Sequence, residues 1–278
     1  MGAVFIALAG WAYLGSTAQK DLKVWFLDVG QGDSALIRTQ KGFDILVDGG
    51  PSTNLPSLLA QKIPFWDKKI DMIILSHPHA DHLVGLLEVF RKYEIGEILW
   101  TGVACTTPEC EKFENNISEY KVPESHPLAG KKIAIGDLSL TFVYPFQSLL
   151  GQKIEDYNDS SIVFSLAYKG KKVLFTGDTY EEEEKEMLNV PSIKAELKSD
   201  ILKVAHHGSK SSSSPDFLAA VAPLYAVISV GAGNTYNLPN VQTLQNLRHI
   251  TKVLRTDLNG EIEADISEKG EIKVTSDE

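Results

Sequence analysis

Residues 75 to 85 read LSHPHADHLVG and hold three of the seven histidines of the chain, together with one aspartate. This stretch follows the apolar run Met72–Leu75, which is typical of a buried strand, and it precedes apolar positions at helical spacing. The histidines are therefore predicted to lie at the end of a strand. Because residues two apart in an extended segment project to the same side, His77 and His79 could bind one metal ion.

Asp81 and His82 fall on the turn that follows, where they could face a second ion. Two adjacent metals are the natural interpretation of this spacing. Imidazoles combined with a carboxylate suit Zn²⁺, whereas Mn²⁺ or Fe²⁺ become plausible as oxygen ligands are added. The alternative is that these histidines cap a helix or satisfy buried polar groups, but their density and spacing favour metal binding.

Composition limits the function classes. With 278 residues, of which 43% are hydrophobic, the chain can bury the core of one large domain. The formal net charge of -10 and the pI of about 5.2 oppose charge-driven binding to nucleic acid or to an anionic membrane. Any contact with nucleic acid must therefore be local.

The first 19 residues, MGAVFIALAGWAYLGSTAQ, carry no charged side chain. We expect residues 1–19 to be a membrane anchor or a cleaved signal segment, although a spanning helix needs about 20 apolar residues and the basic start of a signal peptide is missing. A buried N-terminal helix of the globular fold is the alternative. In either favoured case the rest of the chain lies outside the cytoplasm, anchored to the membrane or secreted.

Cys105 and Cys110 are the two cysteines of the chain, and no histidine lies near them in sequence to complete a metal site. They could form a small local disulfide if the chain is exported, or they could be two free surface thiols.

The remaining sequence alternates short β-rich runs, turns and helical segments, which predicts a layered α/β fold without a linker. Its two halves resemble each other: FDILVDGG precedes SHPHADH, and KKVLFTGDT precedes AHHGS. Each half thus supplies an aspartate at one strand end and histidine at the next. We expect two related halves packed face to face, with both sets of strand ends at one seam.

The HxHxDH string resembles the signature of the metallo-β-lactamase superfamily, and later residues follow in that family's order. The resemblance implies an α/β fold of the αββα sandwich type over residues 22–275, with a dinuclear site where the halves meet. The ligands that it implies are His77 and His79 for the first metal, Asp81, His82 and His207 for the second, and Asp178 as the bridge. Asp48 would orient a ligand without binding metal.

One departure from the superfamily pattern lies in YNDSSIVF. Where many members place a third histidine on the first metal, this chain has Asn158 and Asp159. Asp159 is the predicted substitute, with Asn158 in a supporting position, and a carboxylate would make the site more tolerant of Mn²⁺. The alternative is that both residues form an ordinary turn before a strand.

A narrower resemblance is to the soluble hydrolase domain of the ComEC/Rec2 family, membrane proteins of bacterial DNA uptake. It is carried by FLDVGQGDS, LVDGG, SHPHADH, NDSSIVF, LFTGD, LKVAHHGSKSSSS, YAVISVG and VLRTDLNGEI. Two features depart from that family. The one short apolar segment is not expected to supply the family's large membrane channel, and NTYNLPN at 234–240 stands where a histidine-containing motif is expected.

The resemblance implies a bacterial metal-dependent phosphodiesterase or nuclease acting on DNA outside the cytoplasm, with two divalent ions, Zn²⁺ or Mn²⁺, as cofactors. A hydroxide between the ions would attack phosphorus, so no side-chain nucleophile is required. The residues predicted to take part in catalysis are Asp81, Asp178 and His206. Phosphate contacts are predicted from Lys203, Lys210 and Arg38, each of which could instead be a solvated charge.

DNA or another phosphodiester, the membrane, and a separate DNA-uptake channel protein are the partners that this interpretation predicts. A phosphoesterase acting on small or cell-surface substrates such as phosphocholine groups is one alternative, since the acidic composition would suit it better. Another is a non-catalytic DNA-binding or scaffolding module that keeps metal only for stability.

Overall fold

The computed structural model describes residues 21–277, in which strands and helices form two sheets with helices on their outer faces. The predicted N-terminal membrane or signal segment, residues 1–19, lies outside the described residues. No helix within residues 21–277 has both the length and the apolar character needed to cross a bilayer. The strands are β1 (Leu22–Phe26), β2 (Ala35–Arg38), β3 (Asp44–Val47), β4 (Lys69–Ile74), β5 (Glu94–Leu99), β6 (Glu124–Ser125), β7 (Lys132–Ile135), β8 (Leu138–Tyr144), β9 (Val163–Tyr168), β10 (Lys171–Phe175), β11 (Ile201–Lys203), β12 (Tyr225–Ile228), β13 (Lys252–Arg255), β14 (Ile262–Ile266) and β15 (Ile272–Ser276).

The helices lie mainly between the parallel strands. They are α1 (Leu55–Leu59), α2 (Ala80–Val89), α3 (Pro108–Tyr120), α4 (Glu181–Asn189), α5 (Pro191–Leu197), α6 (Pro215–Val221), α7 (Val241–Arg248) and α8 (Thr256–Asn259). Sequence patterns predict α1, α2, α4, α6 and α7, but α2 begins three residues earlier than its apolar spacing indicates. It starts directly after His79, whose backbone is extended, so the histidine motif spans the boundary between loop and helix.

The first sheet has the strand order β15-β14-β1-β2-β3-β4-β5-β6 within the described residues, and the second has the order β13-β12-β11-β10-β9-β8-β7. In the first sheet β3, β4 and β5 run parallel, with Val47 paired to Ile74 and Ile74 to Leu99. In the second sheet β10, β11, β12 and β13 run parallel. Parallel strands end at a common edge, so each sheet gathers several loops at the carboxyl ends of its strands.

Three apolar clusters hold these layers together. One lies between the sheets and includes Phe26, Phe164 and Phe175, whose rings stack with centroids 4.9 to 5.8 Å apart. The second packs α1, α2 and α3 on the outer face of the first sheet, and the third packs helices α4 to α7 on the second sheet. The layers therefore run helix, sheet, sheet, helix, as the predicted sandwich requires.

Two glycines let α2 approach the loop after β3. A Cβ atom on Gly85 would lie 2.0 Å from the carbonyl oxygen of Gly49. The backbone N–H of Gly49 donates to the carbonyl of His82 at 2.5 Å, and that of Gly85 donates to the carbonyl of Gly50 at 3.0 Å. This close approach fixes the start of α2 against the loop that contains Asp48.

A segment that we call the serine loop, residues 209–214, follows β11 and leads into α6. The buried carboxylate of Glu184 on α4 accepts the backbone N–H groups of Ser213 at 2.5 Å and Ser214 at 2.9 Å. Ser212 donates its hydroxyl to the carbonyl of Thr179 at 2.7 Å. Glu184 thus holds a loop that begins two residues after His207, while Ser214 caps α6.

Gly85→Ala is expected to lower the free energy of unfolding by about 1–3 kcal/mol, because the added methyl group would force α2 away from Gly49. Urea denaturation of the metal-free protein measures this. Glu88→Ala, on the same helix with only an ion pair to exposed Arg91 at 3.5 Å, is the control and should change stability by less than about 0.5 kcal/mol. Equal effects of the two substitutions would disprove the close-packing argument.

Glu184→Gln is expected to destabilise the fold by about 1–3 kcal/mol at pH 5, since an amide nitrogen would then face a backbone N–H. Burial raises the pKa of Glu184 to about 7 from its ordinary value of 4.5, against the opposing effect of its hydrogen bonds to Ser214 and Ser213. The stability that this carboxyl contributes is therefore complete below about pH 4.5 and is lost as the pH rises to about 7.

The stability difference between wild type and E184Q should accordingly be smaller at pH 8 than at pH 5, as measured by urea unfolding at both values. Glu186→Gln, at an exposed position of the same helix, is the matched control and should show no such trend. A difference for E184Q that is constant with pH would contradict the prediction.

Candidate metal centre

Four of the predicted site residues follow strand ends that meet at one edge of the sandwich. Asp48 follows β3 and His77 follows β4, while Asp178 follows β10 and His207 follows β11. All four side chains are buried. The structure therefore places carboxylates and imidazoles from both sheets at one seam.

The second predicted metal position is formed around the carboxylate of Asp178. Its Oδ2 lies 3.4 Å from Nε2 of His82 and 3.4 Å from Nε2 of His207. Nε2 of His207 also lies 3.3 Å from Oδ2 of Asp81, whose side chain is 35% exposed. Four side chains thus direct donor atoms to one point that is open to solvent on the Asp81 side.

The first predicted position lies beside it. Nε2 of His77 is 3.0 Å from Nδ1 of His79, and that nitrogen is 2.8 Å from Oδ1 of Asn158. His77 also belongs with His82 and Asp178 to one set whose ligand atoms all lie within 4.8 Å of one another. The two positions are therefore adjacent, with Asp178 next to both.

Buried atoms without hydrogen bonds test whether this donor set fits metal ions. Within residues 21–277, Nε2 of His82, Nε2 of His207 and Oδ1 of Asp178 are buried and make no hydrogen bond. A buried polar atom without a partner is costly, and these three belong to side chains that surround the second metal position and are of the types that bind divalent cations. The residues fit two adjacent divalent ions.

Polar contacts behind the ligands fix their orientation. Nδ1 of His82 lies 3.0 Å from Oδ2 of Asp48, whose carboxylate also accepts the backbone N–H and the hydroxyl of Ser76 at 2.7 and 2.8 Å. Nδ1 of His207 lies 2.9 Å from the carbonyl oxygen of Ser229. Each imidazole thereby keeps Nε2 free to face the metal position, which is the orienting role expected of Asp48.

Asp33 is a site residue that sequence reasoning did not identify. It is buried, and its carboxylate lies 3.2 Å from Nδ1 of His207 and 2.5 Å from Nζ of Lys203. In sequence, GQGDS at 30–34 is typical of a turn, and the feature that could have identified Asp33 is its position between a glycine and a strand.

The prediction that Lys203 contacts a phosphate is wrong. Lys203 is buried, pairs with Asp33 and donates to the carbonyl of Val204, and so cannot reach a phosphate.

The prediction that Arg38 contacts a phosphate is also wrong. Arg38 ends β2 and pairs with Asp44 at the start of β3, so it lies at the opposite ends of the strands from the site. Its buried guanidinium pairs with Asp44 and with Asp67. Lys210, by contrast, is exposed on the serine loop next to the site. Of the three predicted phosphate contacts, only Lys210 has a position that allows one.

The structure also disagrees with the prediction that Asp159 replaces the third histidine on the first metal. Its side chain is exposed, and it belongs to none of the metal-ligand sets found among the described residues. A 3₁₀ turn over Tyr157–Ser160 directs Asn158 toward His79 and leaves Asp159 exposed. The residue beside the first position is therefore an amide and not a carboxylate.

Charges within the cluster are strongly coupled. Burial alone would raise the pKa of Asp178, but the charges of His207 and His82 hold that pKa well below its usual range. Burial would lower the pKa of His82, yet Asp178 and Asp48 raise it well above its usual value, as Asp178 and Asp33 do for His207. The buried carboxylates thus favour positive charge at the two imidazoles, and divalent ions would supply that charge when bound.

His206 lies at the mouth of the site. Its backbone is left-handed, with φ of 49°, and its Nε2 lies 4.0 Å from Oδ2 of Asp178. Its ring centroid is 5.3 Å from that of Tyr180. Burial lowers the pKa of His206, so a neutral imidazole faces the opening near neutral pH.

A disulfide joins Cys105 and Cys110, which decides between the two predicted states of these cysteines. Within this loop, the backbone N–H of Thr106 donates to the hydroxyl of Tyr157 at 2.6 Å. The ring of Tyr157 in turn lies 5.5 Å from that of His79. The disulfide loop therefore supports the wall behind the first metal position.

Comparisons with known proteins agree with this geometry. A family model described as the metallo-beta-lactamase superfamily matches residues 27–232. ComE operon protein 3 of Bacillus subtilis (strain 168) is 34% identical over 262 residues, covering 87% of this chain and 32% of that protein. Competence protein ComA of Neisseria gonorrhoeae is 31% identical over 252 residues, covering 89% of this chain and 32% of that protein. This chain thus spans about a third of the length of these curated relatives.

Among solved structures, the metallo-beta-lactamase fold protein YhfI from Bacillus subtilis aligns with a TM-score of 0.55 at 13% identity, covering 91% of this chain and 100% of that one. At this identity the likeness shows the fold alone. The predicted resemblances to the superfamily and to competence proteins are both confirmed.

Proposed function

The chain belongs to the metallo-β-lactamase superfamily of metal-dependent hydrolases and is related to competence proteins, and on this premise we propose that it hydrolyses phosphodiester bonds of DNA. We place this activity outside the cytoplasm, in connection with DNA uptake. The observation that carries the proposal is the pair of adjacent donor sets that share Asp178.

Two adjacent divalent ions, when bound, would supply Lewis acidity and an activated water for in-line displacement at phosphorus. The protein's own residues would hold and orient the reactants. Asp178 keeps both donor sets in one place, and Asp81 borders the solvent side where substrate enters. Nε2 of His206 lies 4.0 Å from Oδ2 of Asp178 and could exchange a proton with the departing oxygen.

Four features support DNA as the substrate and an extracytoplasmic location. One relative is named as competence protein ComA, and Lys210 is exposed beside the site. The disulfide between Cys105 and Cys110 is typical of an oxidising compartment. Residues 1–19 carry no charge and could anchor the chain or direct its export. A DNA-uptake channel would then complete the pathway.

A phosphoesterase that acts on small substrates, such as phosphocholine groups, is the second candidate. It is favoured by the net charge of -10 and by acidic residues near the first metal position, including Asp156 and Asp159. Such a surface repels a long polyanion but admits a small zwitterion. Comparing DNA with bis(p-nitrophenyl) phosphate and a phosphocholine ester in the same assay separates the candidates.

Asp178→Asn is expected to lower cleavage of single- and double-stranded DNA by about 100-fold or more, because the amide removes the charge shared by the two donor sets. The assay uses the full chain in detergent, with Mn²⁺ and separately with Zn²⁺. Asp216→Asn, at an exposed position in α6, is the matched control and should retain wild-type activity.

Cleavage that persists in D178N would refute the assigned role of Asp178. Wild-type protein that binds two metals but hydrolyses only small phosphoesters would favour the second candidate. Metal binding without turnover of any phosphoester would favour a non-catalytic module.

Lys210→Ala should raise KM for DNA several-fold and leave kcat nearly unchanged, since Lys210 would contact a phosphate that is remote from the reacting atoms. The dependence of log KM on log salt concentration should also become shallower by about one unit. Lys269→Ala is the control, because Lys269 is exposed in the turn between β14 and β15, at the edge of the sheet away from the site. A kcat loss without a KM change in K210A would contradict this role.

A further inference from the structure

A hydrogen-bonded chain runs from the surface to the first metal position. Asp156 accepts the hydroxyl of Tyr180 at Oδ2, with 2.8 Å between the oxygens. The hydroxyl oxygen of Tyr180 lies 2.7 Å from Nδ2 of Asn158, and Oδ1 of Asn158 lies 2.8 Å from Nδ1 of His79. Neither Tyr180 nor Asp156 has a role in the mechanism above.

The direction of each bond in this chain is fixed by chemistry. An ionised carboxylate can only accept, so Tyr180 must donate its single hydroxyl proton to Asp156. The oxygen of Tyr180 is then left as an acceptor, and it takes an N–H of Asn158. The amide nitrogen of Asn158 therefore points to Tyr180, and its oxygen points to His79.

Burial makes this orientation important. Asn158 is 4% exposed, so an amide turned the other way would place N–H groups against the imidazole and the metal position. Asp156 also accepts the backbone N–H of Asn158 at Oδ1, at 3.0 Å, which anchors the turn itself. One carboxylate thus fixes both the backbone and the side chain of Asn158.

We propose that the carboxamide oxygen of Asn158 is an oxygen ligand of the first metal, and that Tyr180 and Asp156 are positioning residues that hold it there. This rests only on the metal-binding part of the proposed function and is independent of the substrate. The first position then has three neutral donors, His77, His79 and Asn158, in addition to the shared Asp178. The second has two imidazoles and two carboxylates, so it binds a divalent ion more tightly and fills first.

The test is titration of the full chain with Mn²⁺ alone and with Zn²⁺ alone, by calorimetry in detergent and without any substrate. Wild type should bind two ions in a tight step and a weaker step. Tyr180→Phe removes the hydroxyl and allows the amide to turn, so the weaker step should lose about 10–100-fold in affinity. The tight step should change by less than about 3-fold.

Tyr168→Phe is the matched control, because its hydroxyl contacts Gln40 away from the site and its loss should affect neither step. Asn158→Ala should weaken the same step as Y180F. In the double variant Y180F/N158D, affinity for the weaker step should recover, because both atoms of a carboxylate are oxygens and need no orienting partner. A structural role for Tyr180 does not predict this rescue.

Three results would overturn the proposal. They are a weaker step unchanged in Y180F or N158A, equal loss in both steps, and failure of Asn158→Asp to rescue Y180F while the thermal unfolding of the variants remains normal. Because substrate is absent, a protein that fails to cleave DNA can still pass this test, and a protein that cleaves DNA can still fail it.

Discussion

The central constraint on this fold is the carboxylate of Asp178, which is buried between imidazoles that come from the two halves of the sandwich. His82 lies on α2, which packs on the first sheet, His207 lies in the turn that follows β11 of the second sheet, and each lies 3.4 Å from the same oxygen. A buried charge must be neutralised where it lies, so the two sheets can meet only in the register that brings both imidazoles to it. The seam is thereby defined by electrostatics as well as by the apolar core.

The surrounding polar residues extend this requirement outward. Asp48 orients His82, and Asp33 contacts His207 while it neutralises Lys203. Each added charge is buried and is matched by another, so the network reaches from the metal centre into both sheets. The site and the packing of the domain are consequently one system, and a disturbance in the loops around it changes both.

Most of the candidate site could be predicted because its signals are local. HPHADH places four donors within one strand end and one helix turn, and Asp178 and His207 follow strands with the same pattern. What failed depended on three-dimensional burial. Lys203 and Arg38 look like solvated charges in sequence, yet each is paired inside the protein. Asn158 and Asp159 are adjacent, and only the 3₁₀ turn decides which of them faces His79. Helix α3 was not predicted, since its polar face dominates the sequence.

The wide spacing of the ligands along the chain has a consequence for how the protein matures. Donors from His77 to His207 are brought together by strand pairings that are far apart in sequence, and such contacts form late in folding. An unfolded chain offers only the short HPHADH string as a weak chelator. Metal therefore binds almost exclusively to the finished fold, and at a free concentration of 100 times Kd it adds about 2.7 kcal/mol to stability per site. Metal availability in the compartment where the chain folds thus sets how long it survives proteolysis there.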